Sequence, residues 1–151
     1  MSLQQKLDSD IKDAMRSRDR VRLDAIRGIK AAVMNAEVQA NATLTDAQVE
    51  EIIARQVRQR RESIEMFTKG NRPDLVTKEQ TELAVLLAYL PQQLSTDEVR
   101  ALVRQAAADV GARGPADKGK VMGKLMPQVK GKAEGKMVNE VVTQVLAELA
   151  G

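Results

Sequence analysis

Apolar residues recur three and four positions apart along almost the whole of this chain, and no alternating segment is long enough to form a strand. That periodicity commits the chain to amphipathic helices. Phe67 and Tyr89 are its only aromatics, so a core has to be assembled from Leu, Ile, Val, Met and Ala. Side chains of that size bury useful area only when helices pack closely. A length of 151 residues suffices for one domain or for a pair of small helical subdomains sharing an interface.

Capping residues and breakers predict seven helices. Ser2 opens the first, which runs to about Ser17 on a stripe of Leu3, Leu7, Ile11, Ala14 and Met15. Asp19 opens the second, to about Gln39, with Leu23, Ile26, Ile29 and Val33 inward; Gly28 within it reads as a site of close helix crossing. Thr45 and Gln48 form a capping box for a long third helix ending at about Lys69, where Gly70 is placed to supply a left-handed stop. A fourth begins near Asp74 and ends at Leu90, because Pro91 forces its predecessor out of helical geometry. Ser95 and Glu98 make another capping box for a fifth helix. A sixth spans about Ala116 to Lys130, with Pro127 demanding a bend or an end near Met126. The seventh, about Glu134 to Ala150, is expected to bury residues from Met137 to Leu149. The fold class is therefore all-α: a four-helix amino-terminal subdomain over 1–90, then a three-helix bundle over 91–151.

Composition removes several functions. Charged residues reach 30%, both signs interspersed, and no apolar run approaches the roughly 20 residues a bilayer requires, so no membrane association is expected. The start, MSLQQKLDSDIKD, lacks the basic and apolar regions of a signal peptide. The absence of cysteine rules out disulfides and thiolate chemistry and leaves a bacterial-type cytoplasm as the expected location. The absence of histidine removes the usual general base and the commonest metal ligand. No catalytic residue, cofactor or metal is expected, and catalysis by this chain alone is disfavoured.

Charge is concentrated in one place. Between Arg113 and Lys136 lie seven basic residues (Arg113, Lys118, Lys120, Lys124, Lys130, Lys132 and Lys136) against two acidic ones, Asp117 and Glu134. The local excess of five exceeds the chain's total of +3. Val121, Met122, Leu125, Met126 and Val129 alternate with these lysines at helical spacing, so one face can bury while the ammonium groups stay wet. Two readings remain open: a solvated face, or a surface that contacts phosphates. A second cluster, Arg55, Arg58, Arg60 and Arg61, has Glu50, Glu51, Glu62 and Glu65 within three or four residues and reads as a face paired along its own helix. The segment GPADKGKV imitates a phosphate-binding loop but lacks the final Ser or Thr and a preceding strand; it reads better as a turn entering a helix. Gly119 and Gly123, one turn apart, suit close helix packing or approach to a sugar–phosphate chain. With so few aromatics, base stacking is not available, and any RNA would be met through its backbone.

Three segments together carry a family resemblance: QRRESIEMFTKGNRPDL, LLAYLPQQLSTDEV and GKVMGKLMPQVKGKAEGKMVNEVV, preceded by the less distinctive LDAIRGIKAAVMNAEV. In this order they resemble the GatB/YqeY family across essentially the whole chain. The resemblance implies an α-helical protein whose second half looks like the tail domain of GatB, a subunit of the tRNA-dependent amidotransferase. It implies tRNA or another structured RNA as partner, or docking onto an amidotransferase or another tRNA enzyme; the charge pattern makes the seven basic residues from Arg113 to Lys136 the expected RNA contacts. Carbon–nitrogen ligase activity with glutamine as amido donor is implied only together with partner subunits, because the amidotransferase's activating cradle and ammonia-releasing subunit have no counterpart here.

Overall fold

The computed structural model describes all 151 residues, Met1–Gly151. It contains seven α-helices and no strand: α1 Leu3–Ser17, α2 Arg20–Ala40, α3 Asp46–Lys69, α4 Pro73–Leu87, α5 Thr96–Val110, α6 Lys118–Val129 and α7 Gly135–Ala150, with a 3-10 turn at Pro115–Asp117. The helices begin where side-chain oxygens replace missing carbonyl partners. Ser2, Thr45 and Ser95 each complete a capping box, with Gln5, Gln48 and Glu98 respectively, and Asp19 accepts from the Arg22 N–H.

The chain divides into two compact units, Met1–Leu90 and Pro91–Gly151. The first buries Leu7 from α1; Ile26, Ile29 and Val33 from α2; Val49, Ile53 and Val57 from α3; Leu86 from α4; and Tyr89 from the turn beyond it. Two polar links cross this core. The Tyr89 hydroxyl donates to Asp10 at 2.5 Å, and Asp10 also faces Arg22 at 3.5 Å. Burial, then the hydrogen bond and charge of Asp10, push the tyrosine hydroxyl's pKa well above its ordinary value. Between α3 and α4, Arg60 meets Glu79 at 3.1 Å and Glu82 at 2.7 Å. Glu82 is the one buried charged residue, and its Oε2 has that ion-pair contact without an aligned hydrogen bond. Arg60 therefore bridges two helices instead of pairing along its own, because the α4 carboxylates are more deeply enclosed than Glu62 or Glu65.

The second unit buries Val99, Val103, Ala106 and Ala107 from α5, Val121, Leu125 and Val129 from α6, and five residues between Val138 and Leu146 from α7. All are small enough for close helix contact.

Several local expectations are corrected. Gly70 is not the left-handed stop of α3; its φ is −80°, and Asn71, with φ 54°, takes that role. An asparagine tolerates this region almost as well as glycine, so residue type alone misplaces the cap by one. Helix α4 starts at Pro73 and ends at Leu87, not Leu90; Tyr89 and Leu90 donate three residues back in a tightened turn before Pro91. Helix α6 continues through Pro127 to Val129. Gly28 is exposed and a methyl built there would meet nothing within 4 Å, so the position does not need a glycine for close packing, although Gln56 of α3 donates to its carbonyl at 3.2 Å. Met15 and Leu149 are 55% and 50% exposed, so both lie outside the cores to which they were assigned.

Candidate nucleic-acid interface

The basic surface is built on α6 and the turns at its two ends. At its amino-terminal side, the Arg113 backbone N–H donates to the Asp117 carboxylate at 2.9 Å. That bond, with the fields of Lys120 and Arg113 added, holds the Asp117 carboxyl below its usual range. The carboxylate that stands nearest the lysines in sequence is thus engaged with backbone and forms no ion pair with them. Gly114–Lys120 adopts the 3-10 turn and the first residues of α6, with no strand before it, as the turn reading requires. A methyl at Gly114 would lie 3.3 Å from the Ala150 side chain, so this glycine does serve close packing.

Along α6 itself, Val121, Leu125 and Val129 face the core, and Lys120 and Lys124 stand one turn apart on the exposed side. Lys118 is half-buried and turns toward α7, donating to the Thr143 hydroxyl at 3.3 Å; it is the least outward-facing of the expected contacts. Lys130 and Lys132 flank the turn after α6, both exposed, with Gly131 between them at φ 77°. This is the left-handed region, where a side chain would be strained. Lys136 follows in the first turn of α7, and the Arg113 side chain lies on the loop before the 3-10 turn, both exposed. None of Lys120, Lys124, Lys130 and Lys132 forms an ion pair with a carboxylate.

Two residues outside the expected set hold this surface in shape. Gln93 Nε2 donates to the Gly131 carbonyl at 3.0 Å and to the Pro91 carbonyl at 2.8 Å. The Leu94 N–H donates to the Lys132 carbonyl at 2.8 Å. The PQQLS segment, which reads as a boundary connector, is thus the brace of the Lys130–Gly131–Lys132 turn. Nothing in the local sequence distinguishes Gln93 from Gln92, and only the tertiary structure shows which one turns inward.

The glycines of this surface do not pack against a neighbouring helix. Gly119, Gly123, Gly131 and Gly135 are all exposed, and a methyl at any of them would meet nothing within 4 Å. Close intramolecular helix packing is corrected on that ground. The bare faces open to solvent beside the lysines. No group of three or more acidic residues is gathered into a potential metal site.

An all-helical protein with an exposed lysine surface on a glycine-rich helix and turn is the class these observations define. The chain belongs to the family of Yqey-like proteins, whose model it matches over residues 4–146. It is similar to the altered inheritance of mitochondria protein 41 of several fungi. Identity to the protein from Pyrenophora tritici-repentis is 36% over 123 residues, covering 80% of this chain and 67% of that protein. For Kluyveromyces lactis it is 35% over 124 residues, covering 79% and 66%; for Lachancea thermotolerans, 36% over 87 residues, covering 57% and 46%. The chain thus spans about half to two thirds of the length of these relatives. All three are named as mitochondrial proteins, which overturns the cytoplasmic location expected from composition. The physical reason is simple: a chain without cysteine is indifferent to the redox state around it, so its composition could not choose among compartments.

Proposed function

We propose that the α6 surface binds structured RNA of the tRNA type through its sugar–phosphate backbone, with Lys120, Lys124, Lys130 and Lys132 as the principal contacts and Arg113, Lys118 and Lys136 at the margin. The observation that carries this reading is the combination of four exposed lysines free of carboxylate partners with glycine faces that touch nothing in the chain. Lysines on a purely solvated helix do not need bare backbone between them; each helical glycine weakens its helix by about 1 kcal/mol relative to alanine. A phosphate chain approaching the backbone gives both features one cause. The resemblance to the GatB tail domain supports the same partner. The proposal includes the division of labour that the resemblance implies: a four-helix part over 1–90, and a three-helix part over 91–151 that carries the RNA surface. Any amide transfer would belong to partner subunits.

The test is titration with unfractionated tRNA across salt concentrations. Neutralising about four phosphates predicts a log K against log salt slope of about −2.8 to −3.6. Reversing Lys120, Lys124 and Lys132 to Glu is expected to reduce the slope by about three contacts' worth and to leave the far-ultraviolet circular dichroism unchanged. Binding indifferent to salt would end the proposal. Undiminished affinity in the triple variant would move the site off α6, with Arg55 and Arg58 of α3 the next surface to examine.

A further inference from the structure

Helices α1 and α2 lie antiparallel, tied on their outer side by the Asp8–Lys30 ion pair and by the Gln4 side chain, which donates to Glu37 at 3.3 Å. Helical spacing extends that outer side along both elements. On α1 it carries Lys12 and Met15, four and seven residues beyond Asp8. On α2 it carries Leu23 and Arg27, seven and three residues before Lys30, then Met34 four residues beyond it, with Val38 one turn further on. The register set by Asp8 and Lys30 places Met15 level with Leu23, and Lys12 beside Arg27. Met15, Met34 and Val38 are exposed; Leu23, which the stripe pattern turns inward, is half-buried and lies outside the first core. Along the seam the order is apolar, cationic, bridged, apolar.

The charges of this hairpin are unbalanced in one specific way. All five carboxylates of α1 and α2 are engaged: Asp8 with Lys30, Asp10 with Tyr89 and Arg22, Asp13 with Arg16, Asp24 with Arg20, and Glu37 with the Leu44 N–H. Of the seven cations on these helices, four hold those carboxylates and Lys6 stands over the Tyr89 ring. Lys12 and Arg27 form neither a side-chain hydrogen bond nor an ion pair, and they are the two that the register sets side by side. Like charges held together with no carboxylate between them repel.

We propose that the α1–α2 seam docks an amphipathic acidic helix of a partner protein. Its carboxylates enter between Lys12 and Arg27, and its apolar side chains cover Met15 with Leu23 at one end and Met34 with Val38 at the other. Leu23, Arg27, Lys30 and Met34 fall at i, i+4, i+7 and i+11, one helical face about 17 Å long. The complementary helix therefore carries apolar residues eleven apart with acidic ones between them. Methionine suits such a contact, because its flexible thioether adapts to the side chain laid against it. A nucleic acid would meet the two cations and leave the apolar ends uncovered, and attachment to an anionic membrane takes a larger basic cluster. The seam shares no residue with the α6 surface, so it stands or falls independently of the phosphate-binding reading.

The experiment titrates the full chain with a stapled helical peptide of about 20 residues. The peptide carries Leu at i and i+11 and Glu at i+4 and i+7; its counterpart carries Lys in place of Glu. The wild-type protein is expected to bind the Glu peptide about tenfold more tightly than the Lys peptide, by a ratio that shrinks as salt is raised. Lys12→Glu combined with Arg27→Glu should invert that preference, which a mere loss of structure would not do. Met34→Gln combined with Val38→Gln should weaken the Glu peptide about tenfold at unchanged circular dichroism, since both positions are exposed. The variant with Lys120, Lys124 and Lys132 changed to Glu should keep the preference, which separates this seam from α6. No binding of the Glu peptide by the wild type, equal binding of the two peptides, or a preference lost in the α6 variant overturns the inference. A dimer in sedimentation that Met34→Gln with Val38→Gln dissociates would make a second copy the occupant and overturn it as well. Flotation with anionic phospholipid vesicles that depends on the same two residues would do so in favour of a membrane.

Discussion

Tyr89 carries a polar group into the first core and ends it on a specific charge. Its ring belongs to the core of the first unit and its hydroxyl ends on Asp10, while the Lys6 ammonium lies 5.4 Å from the ring centroid. Ionising it would place a phenolate against a carboxylate, so its folded pKa is raised, first by burial and then by Asp10. The sign follows. Below the unfolded tyrosine value of about 10 the hydroxyl is protonated in both states and the link is intact. As pH rises above 10 the unfolded chain gains from ionising and the folded chain does not, so stability is lost through that window. Because Tyr89 is the only tyrosine, tyrosinate absorbance reads it alone. We expect the native protein to titrate above the value found in denaturant, and coincident curves would show that the Asp10 link does not form. The amphipathic pattern places Tyr89 only at the end of the fourth helix and does not reveal its partner, which lies 79 residues away in sequence. Gly28 shows the same limit from the other side: a glycine inside a helical pattern signals a special environment, yet here it is exposed with open space where a methyl would stand.

At the scale of elements, the caps were the most legible feature, because a capping box is a local exchange of two hydrogen bonds written in four consecutive residues. Thr45–Gln48 and Ser95–Glu98 form as the pattern requires, and Ser2, read only as an N-cap, completes a third box with Gln5. Helix ends governed by backbone angle were less legible, as the Gly70–Asn71 exchange and the early end of α4 show. Least legible was the bracing of one loop by another. Gln93 holds the Gly131 carbonyl across 38 residues of sequence, and that bond fixes where Lys130 and Lys132 stand. Gln93→Ala removes the brace without touching a charge. Its expected effect is a weaker tRNA affinity, by about fivefold for one lost positioning hydrogen bond, at an unchanged salt slope. A structural collapse would instead lower helicity and the melting temperature together, so circular dichroism on the same samples separates the two. Full affinity in Gln93→Ala would mean that the turn holds its shape without the brace.

Over the whole molecule, net charge conceals the organisation that matters. Residues 1–90 carry fifteen basic and fourteen acidic groups, and residues 91–151 carry nine and seven. Within the second unit, seven of the nine basic groups fall between Arg113 and Lys136, leaving Arg100 and Arg104 against Asp97, Glu98, Asp109, Glu140 and Glu148 elsewhere. That unit is therefore strongly polarised, with the α6 region positive and the remainder negative. A polarised body is oriented by a polyanion as it approaches, and its acidic side is repelled. The concentration of lysines was readable from the sequence; that Lys120, Lys124, Lys130 and Lys132 form no ion pair was not, since it depends on tertiary placement such as the bond that engages Asp117 with the Arg113 backbone. If the polarised unit carries the RNA surface, a fragment spanning 91–151 should keep it. Its core is made of its own α5, α6 and α7 residues, so helical circular dichroism and a cooperative melt are expected. A chain of some 60 residues buries little surface, and its melting temperature should fall below that of the full chain. Its tRNA titration should keep the slope of about −2.8 to −3.6. The complementary fragment, 1–90, retains Arg55 and Arg58 but is nearly balanced in charge, and it should bind with a much shallower slope. A folded 91–151 fragment that fails to bind, beside a 1–90 fragment that does, would relocate the RNA surface to α3.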